Sequence, residues 1–201
     1  MTDKSNILID ELPQSIVIDD EEYIISTNFR TFILFELLLK DKDLSDKEKL
    51  WEILELVFLE EKPSDISEEI FKAIADFYKC GKNTFEASKK QNKPKQTQKR
   101  VYDFEWDDSY IYSAFLATYR IDLNEIEYLH WWKFKALFDG LPSDCELVKI
   151  MGYRAADISS IKDKNERARI QRLQTLYALP DNLTVEEKAA KFGAIFGGAM
   201  K

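Results

Sequence analysis

Two cysteines, a single histidine and the lack of any long apolar run limit what this 201-residue chain can do. Cys80 and Cys145 lie far apart and outside any Cys-x-x-Cys spacing, so neither a disulfide framework nor a zinc site is indicated. Reduced thiols in a cytoplasm are the simple reading. One histidine, His130, excludes a multi-histidine metal centre. There is no Gly-rich phosphate loop, no Gly-x-Ser-x-Gly elbow and no His-Glu-x-x-His pair. The longest apolar run, Phe32 to Leu39, contains Glu36 and falls far short of the roughly 20 residues that cross a bilayer. The opening MTDKSNILIDELPQ lacks the apolar core of a signal peptide. The expectation is a soluble protein without cofactor or metal, and one that binds or assembles rather than an enzyme.

What is present is acid, aromatic surface and helical periodicity. The net charge of −8 favours solubility and disfavours a protein whose main task is coating nucleic acid. A hydrophobic content of 45% is enough for one core or two small ones. Charge is segregated along the chain. Residues 1–80 hold 9 Lys/Arg against 20 Asp/Glu, whereas residues 81–100 hold 7 against 1. The tract KNTFEASKKQNKPKQTQKR, residues 82–100, has almost no apolar residues and reads as a flexible basic linker. A nucleic-acid site is the weaker reading, because no aromatic is interleaved in its basic part to stack on bases.

The linker divides the chain into residues 1–81, 101–180 and a C-terminal helix or tail, 181–201. In the first segment, Ser15–Ile18 and Tyr23–Ile25 are β-branched and aromatic around a polar turn at Asp19–Glu22, which predicts a β-hairpin. Three helices follow: Phe29–Leu39 capped by Asn28; a second from the capping box Ser45/Glu48 to about Leu59; and a third from Asp65/Glu68 to Cys80-Gly81. The third carries Ile66, Ile70, Ile74 and Phe77 at core spacing. The first is apolar on nearly every side. Either it lies centrally among the other elements, the favoured reading, or one flank, Phe35 and Leu39, is left for a partner chain.

The stretch Tyr102–Pro142 holds Trp106, Trp131, Trp132 and the lone His130. Its spacing predicts a helix from Asp107 or Asp108 through Tyr119, and a second capped by Asp122 and Glu125 and stopped at Gly140. The second would carry Leu123, Ile126, His130, Phe134, Leu137 and Leu141 on its buried stripe, so that the two pack as a helical hairpin across a short link. Trp131 and Trp132 point about 100° apart on a helix, which predicts that at least one faces a neighbour. His130 reads as structural rather than as a general base beside Glu127 or Asp103. Asp107, Asp108, Asp122 and Glu125 read as helix caps rather than metal ligands. Beyond them, Ser143/Glu146 predicts a short helix, Asp144–Met151, ended by Gly152. A loop holding Tyr153-Arg154 then leads to a helix near Lys164–Ala178 with Ile170, Leu173 and Tyr177 inside and Arg167, Arg169 and Arg172 solvated. Thr184/Glu187 marks one more start. The fold class is mainly α: an N-terminal hairpin plus helices, a linker, and an aromatic-rich helical domain.

The segments IDDEEYIISTNFRTFILFELLL, DLSDKEKLWEILELVFLEEKP and IADFYKCGK, and above all YDFEWDDSYIYSAFLATYRIDLNEIEYLHWWKFKALFDGLP followed by IMGYR, resemble the phage Gp-fifteen family of tailed phages and prophages of Gram-positive bacteria. The resemblance is most specific at Tyr102-Asp103-Phe104, Ile121-Asp122-Leu123 and Leu129–Phe134. Members are encoded just ahead of the tape measure protein. The resemblance therefore implies a tail assembly chaperone in the host bacterial cytoplasm that binds the tape measure protein and helps the tail tube protein gather along it. A structural part of the tail is the alternative, and a nucleic-acid binder is less favoured. Neither a membrane nor a catalytic residue is implied, and a homo-oligomer is allowed. Phe35, Leu39, Trp131 and Trp132 are the candidate partner contacts.

Overall fold

A computed structural model describes residues 6–63, 67–81 and 100–180. The expected linker up to residue 99, the expected C-terminal segment 181–201, and Asp65 and Ile66 of the third capping signal lie outside the described residues. Seven α-helices and one two-stranded antiparallel sheet are described. They fall into two compact units: the described residues up to 81 together with 127–136, and residues 100–126 together with 137–180. The expected aromatic domain, 101–180, is thus shared between the units.

In the first unit, β1 (Ser15–Ile18) and β2 (Glu21–Ile24) pair antiparallel with Ile16 opposite Tyr23 and Ile18 opposite Glu21. The turn is tighter than the sequence predicts. Asp19 and Asp20 both have positive φ, 50° and 65°, which gives a two-residue connection whose twist matches the strands. Ile16 and Ile18 point inward and Val17 outward, and β1 packs on α3 (Glu68–Tyr78). α1 (Phe29–Lys40) begins where the Asn28 side chain accepts the Arg30 N–H, and it packs on α2 (Asp46–Val57). Both halves of the Ser45/Glu48 capping box form at the start of α2. α2 stops at Val57, two residues before the expected Leu59. Phe58 leaves the helix to bridge Ile25, and the Leu59 N–H donates to Ile24 O at 3.3 Å.

The expected helix from Asp122 does not form there. α5 spans only Trp131–Asp139, and α4 (Asp108–Tyr119) is joined to it by the whole stretch 120–130, so the short-linked helical hairpin is replaced by a long connection. The physical reason is competition for backbone partners. Asn28 and His130 form an antiparallel bridge, the Phe29 N–H donates to Leu129 O at 2.9 Å, and the Trp131 N–H donates to Thr27 O at 2.7 Å. Residues bonded across to the start of α1 cannot also bond along a helix. Asp122 accepts the Asn124 and Glu125 N–H groups, at 2.9 and 3.2 Å, in a local turn.

The second unit contains α4, the end of α5, α6 (Glu146–Ala155), a 3₁₀ turn (Ile158–Ser160) and α7 (Lys164–Leu176). Phe104, Ile111, Phe115, Phe138, Leu147 and Ile150 are buried here, and α6 packs on both α4 and α7. The expected Ser143/Glu146 capping box is absent. Ser143 and Asp144 are used in a turn closed by Cys145 N–H to Pro142 O at 3.0 Å, and α6 starts at Glu146. Gly152 does not end α6, which continues through Tyr153-Arg154 to Ala155. Asp163 caps α7 by accepting the Glu166 N–H at 2.7 Å. Arg100, expected in the linker, is buried and folded: its Nε donates to Tyr102 O at 3.2 Å and its guanidinium pairs with Asp103.

Candidate functional site

Helix formation at Trp131 decides where the aromatic residues go. His130 precedes the helix and caps it: its Nδ1 accepts the Trp132 N–H at 3.0 Å. With Nδ1 an acceptor, Nε2 carries the proton and donates to Pro13 O at 3.0 Å. Burial holds the imidazole below its ordinary value of 6.5, opposed by the Pro13 carbonyl and assisted by the Lys133 charge. Both ring nitrogens are engaged by backbone, and His130 is buried as expected, though beside the helix rather than on its stripe.

Trp131 stacks on Phe32, Tyr78 and Phe134 and donates its indole N–H to Tyr78 O at 2.8 Å. Trp132 packs on Phe77 and His130 and donates to Phe77 O at 2.8 Å. The expectation that one of them faces a neighbour is corrected. Their different directions are met by different parts of one interior, α1 and the end of α3. Of the four candidate contacts, Phe35 is 3% exposed, Leu39 7%, Trp131 0% and Trp132 6%, so the structure gathers all four inside the first unit. Phe35 packs tilted against Tyr78, whose hydroxyl donates to the buried Glu36 carboxylate.

The acids read as caps divide. Asp107 stands at the N-cap of α4 but makes no capping bond. Its carboxylate takes a bidentate pair from Arg154, Nη1 to Oδ2 at 2.6 Å and Nη2 to Oδ1 at 2.9 Å, and accepts the Asp103 N–H at 2.9 Å. Arg154 also donates to Tyr177 O at 2.7 Å and to Val101 O at 2.9 Å, tying three stretches of the second unit to the last turn of α6. Asp122 accepts the Tyr112 hydroxyl at 2.8 Å; that bond and the turn N–H groups lower the carboxyl, and the same bond, with burial and the nearby acids, raises the phenol. Asp108 accepts the N–H of Ser109. Among the described residues, no group of three His, Cys, Asp or Glu is arranged to hold a metal ion.

What the fold leaves outside is a set of large apolar side chains. On the hairpin, Val17 and Ile24 share the outer face, and Leu59 lies opposite Ile24 across the bridge between Ile25 and Phe58. On α2, Trp51 is 50% exposed among Glu48, Glu52 and Glu55. Leu34 is exposed on α1, and Trp106 and Leu176 are exposed in the second unit. Trp51 was readable in advance. With the start of α2 fixed by its capping box, Leu50, Ile53, Leu54 and Val57 fill the inner stripe, which leaves Trp51 on the charged side.

One family model, described as Bacteriophage Gp15 protein, matches residues 8–179. The chain belongs to the bacteriophage Gp15 family. The match takes in the hairpin, all seven described helices and the residues that carry both buried networks. This Gp15 family member is therefore a bacteriophage protein, of the structural or tail-related kind. No curated protein and no solved structure matches it. Among the described residues, no helix is long and apolar enough to cross a membrane.

Proposed function

We propose that this Gp15 family member acts in the host bacterial cytoplasm as a tail assembly chaperone, without catalysis, binding the tape measure protein while tail tube protein gathers along it. The observation that carries the reading is family membership over residues 8–179. The exposed apolar surface supplies the means. A long amphipathic helical protein aggregates through its apolar stripes unless something covers them. Val17 and Ile24 on the outer face of the hairpin, either side of the Ser15–Glu22 hydrogen bond, and Leu59 beside Ile24 offer exposed apolar contacts, and the net charge of −8 keeps a complex soluble.

Co-expression with the tape measure protein of the same phage tests this. The expected result is a higher soluble yield of that protein, recovered bound to this one, and a lower yield when Leu59 is replaced by Ser. A tape measure protein equally soluble alone, with no tail protein retained, refutes it. Probing purified tails separates the chaperone from a permanent tail component, because a chaperone is absent from them.

A further inference from the structure

Two exposed features of opposite chemistry fit each other. The first is the outer face of α2, where the half-exposed indole of Trp51 stands among Lys47, Glu48, Glu52 and Glu55, with Glu48 held in the capping box and Glu55 paired with Lys62, in a segment (residues 1–80) with 20 Asp/Glu against 9 Lys/Arg. An exposed tryptophan ringed by charge is the composition of an interface anchor. The second is the outer face of α7, where a shallow groove of about 370 Å³ is lined by Asn165, Ala168, Arg169, Arg172 and Leu173. Ala168 leaves a recess, Leu173 gives it an apolar wall, and the arginines form its rim. Glu166 holds the Arg169 guanidinium in place through two bonds, at 2.8 and 2.7 Å. Residues 162–172 carry 5 Lys/Arg against 2 Asp/Glu, the reverse of the α2 segment.

We propose that Trp51 of one copy seats in the α7 groove of a second copy. The indole fills the recess over Ala168 and against Leu173. The Arg172 guanidinium lies on its π-face. Glu52 and the acidic surface around it face the basic side chains of α7. A neighbour bearing both the anchor and the groove is present wherever the protein is made. The two patches differ, so every contact pairs the anchor of one copy with the groove of another. This goes beyond the chaperone reading and does not depend on which tail protein is bound.

Sedimentation velocity of the whole chain over about a hundredfold concentration range tests it. At low salt the mean mass rises above the 23.6 kDa monomer with concentration. It falls back near 1 M salt, where the Debye length is about 3 Å. Trp51→Ser and Arg172→Glu both alter exposed side chains, so circular dichroism is unchanged, and each weakens self-association by about tenfold or more. The deciding experiment mixes the two variants. One retains the groove and the other retains the indole, so an equimolar mixture forms a dimer that grows no further. A wild-type chain that is monomeric at every concentration, variants that associate like wild type, or a mixture that stays monomeric would each overturn the proposal. So would docking of Trp51 within its own chain, which is independent of concentration.

Discussion

Replacing Arg154 by Ala should loosen the second unit more than any single change on its surface. The Arg154 side chain is 9% exposed and that of Asp107 1%. Four hydrogen bonds converge on the guanidinium, two from it to Asp107 and one each to the Tyr177 and Val101 carbonyls. Truncation leaves the Asp107 carboxylate buried with only the Asp103 N–H, and leaves two carbonyls short of a donor. Breaking a buried pair by removing one partner costs about 3–5 kcal/mol, most of it the uncompensated charge. The molecule has two compact units, so one unfolding transition need not describe both, and the loss is better read helix by helix from amide hydrogen exchange. Peptides from α4 and α6 should lose protection by roughly 10²–10⁴-fold, while those from α1 to α3 change far less. Replacing both partners together, Asp107→Leu with Arg154→Met, removes the stranded charge and should cost much less than the sum of the single changes. A change of under tenfold in the Arg154→Ala variant would show that the pair behaves like a surface ion pair and that the α6 end is held by something else.

Three further outcomes are expected. His130 is buried neutral with its pKa lowered, so the unfolded chain binds the proton more readily. Stability of the first unit should be full above about pH 6.5 and fall as pH drops below it, and His130→Gln should flatten that dependence in pH-scanned denaturation. Asp19→Asn with Asp20→Gly places the preferred pair in a turn that needs positive φ at both positions, and should raise the melting temperature rather than lower it. Acrylamide should quench Trp51 and Trp106 while sparing Trp131 and Trp132, as resolved by single Trp→Phe variants.

Much of the fold was legible because local signals and burial agreed. Asn28 and the Ser45/Glu48 box start α1 and α2 as their side-chain chemistry requires, and the stripe Ile111, Phe115, Tyr119 lies within the α4 that forms. The departures share one cause, a long-range partner overriding a local preference. Asp122 makes the turn that a capping residue makes, but residues 127–130 are claimed by Thr27–Phe29, about a hundred positions earlier. No periodicity within residues 121–141 carries that information, because the stripe Ile126, His130, Phe134 is also what a bridge followed by a shorter helix produces. Gly152 misled for a related reason. Its small cost inside α6 is outweighed once the helix must reach Arg154 and place it on Asp107.

The candidate site was less legible because aromatic density marks a core more reliably than it marks a contact. Trp131 and Trp132 attract attention by being adjacent, and adjacency on a lone helix would expose one of them. Here the helix begins at Trp131, so its first turn is surrounded by the segment that enters it as well as by the elements beside it. Two indole N–H groups then find successive carbonyls, Phe77 and Tyr78, at the close of α3. Those carbonyls lie at the end of a helix, where the intrahelical ladder stops; Phe77 O takes the Cys80 N–H at 2.8 Å and Tyr78 O the Cys80 thiol, and each has a second lone pair for an indole N–H, so the burial of the tryptophans strands no donor. Trp51 has no such terminus to meet. It sits in the middle of α2, where backbone groups are bonded within the helix, and its indole is left to solvent or to a neighbour. Whether a tryptophan here is core or surface thus follows from which helix ends lie within its reach, and that is a property of tertiary pairing that the sequence carries only through Ser45, Asn28 and the other residues that fix where helices begin.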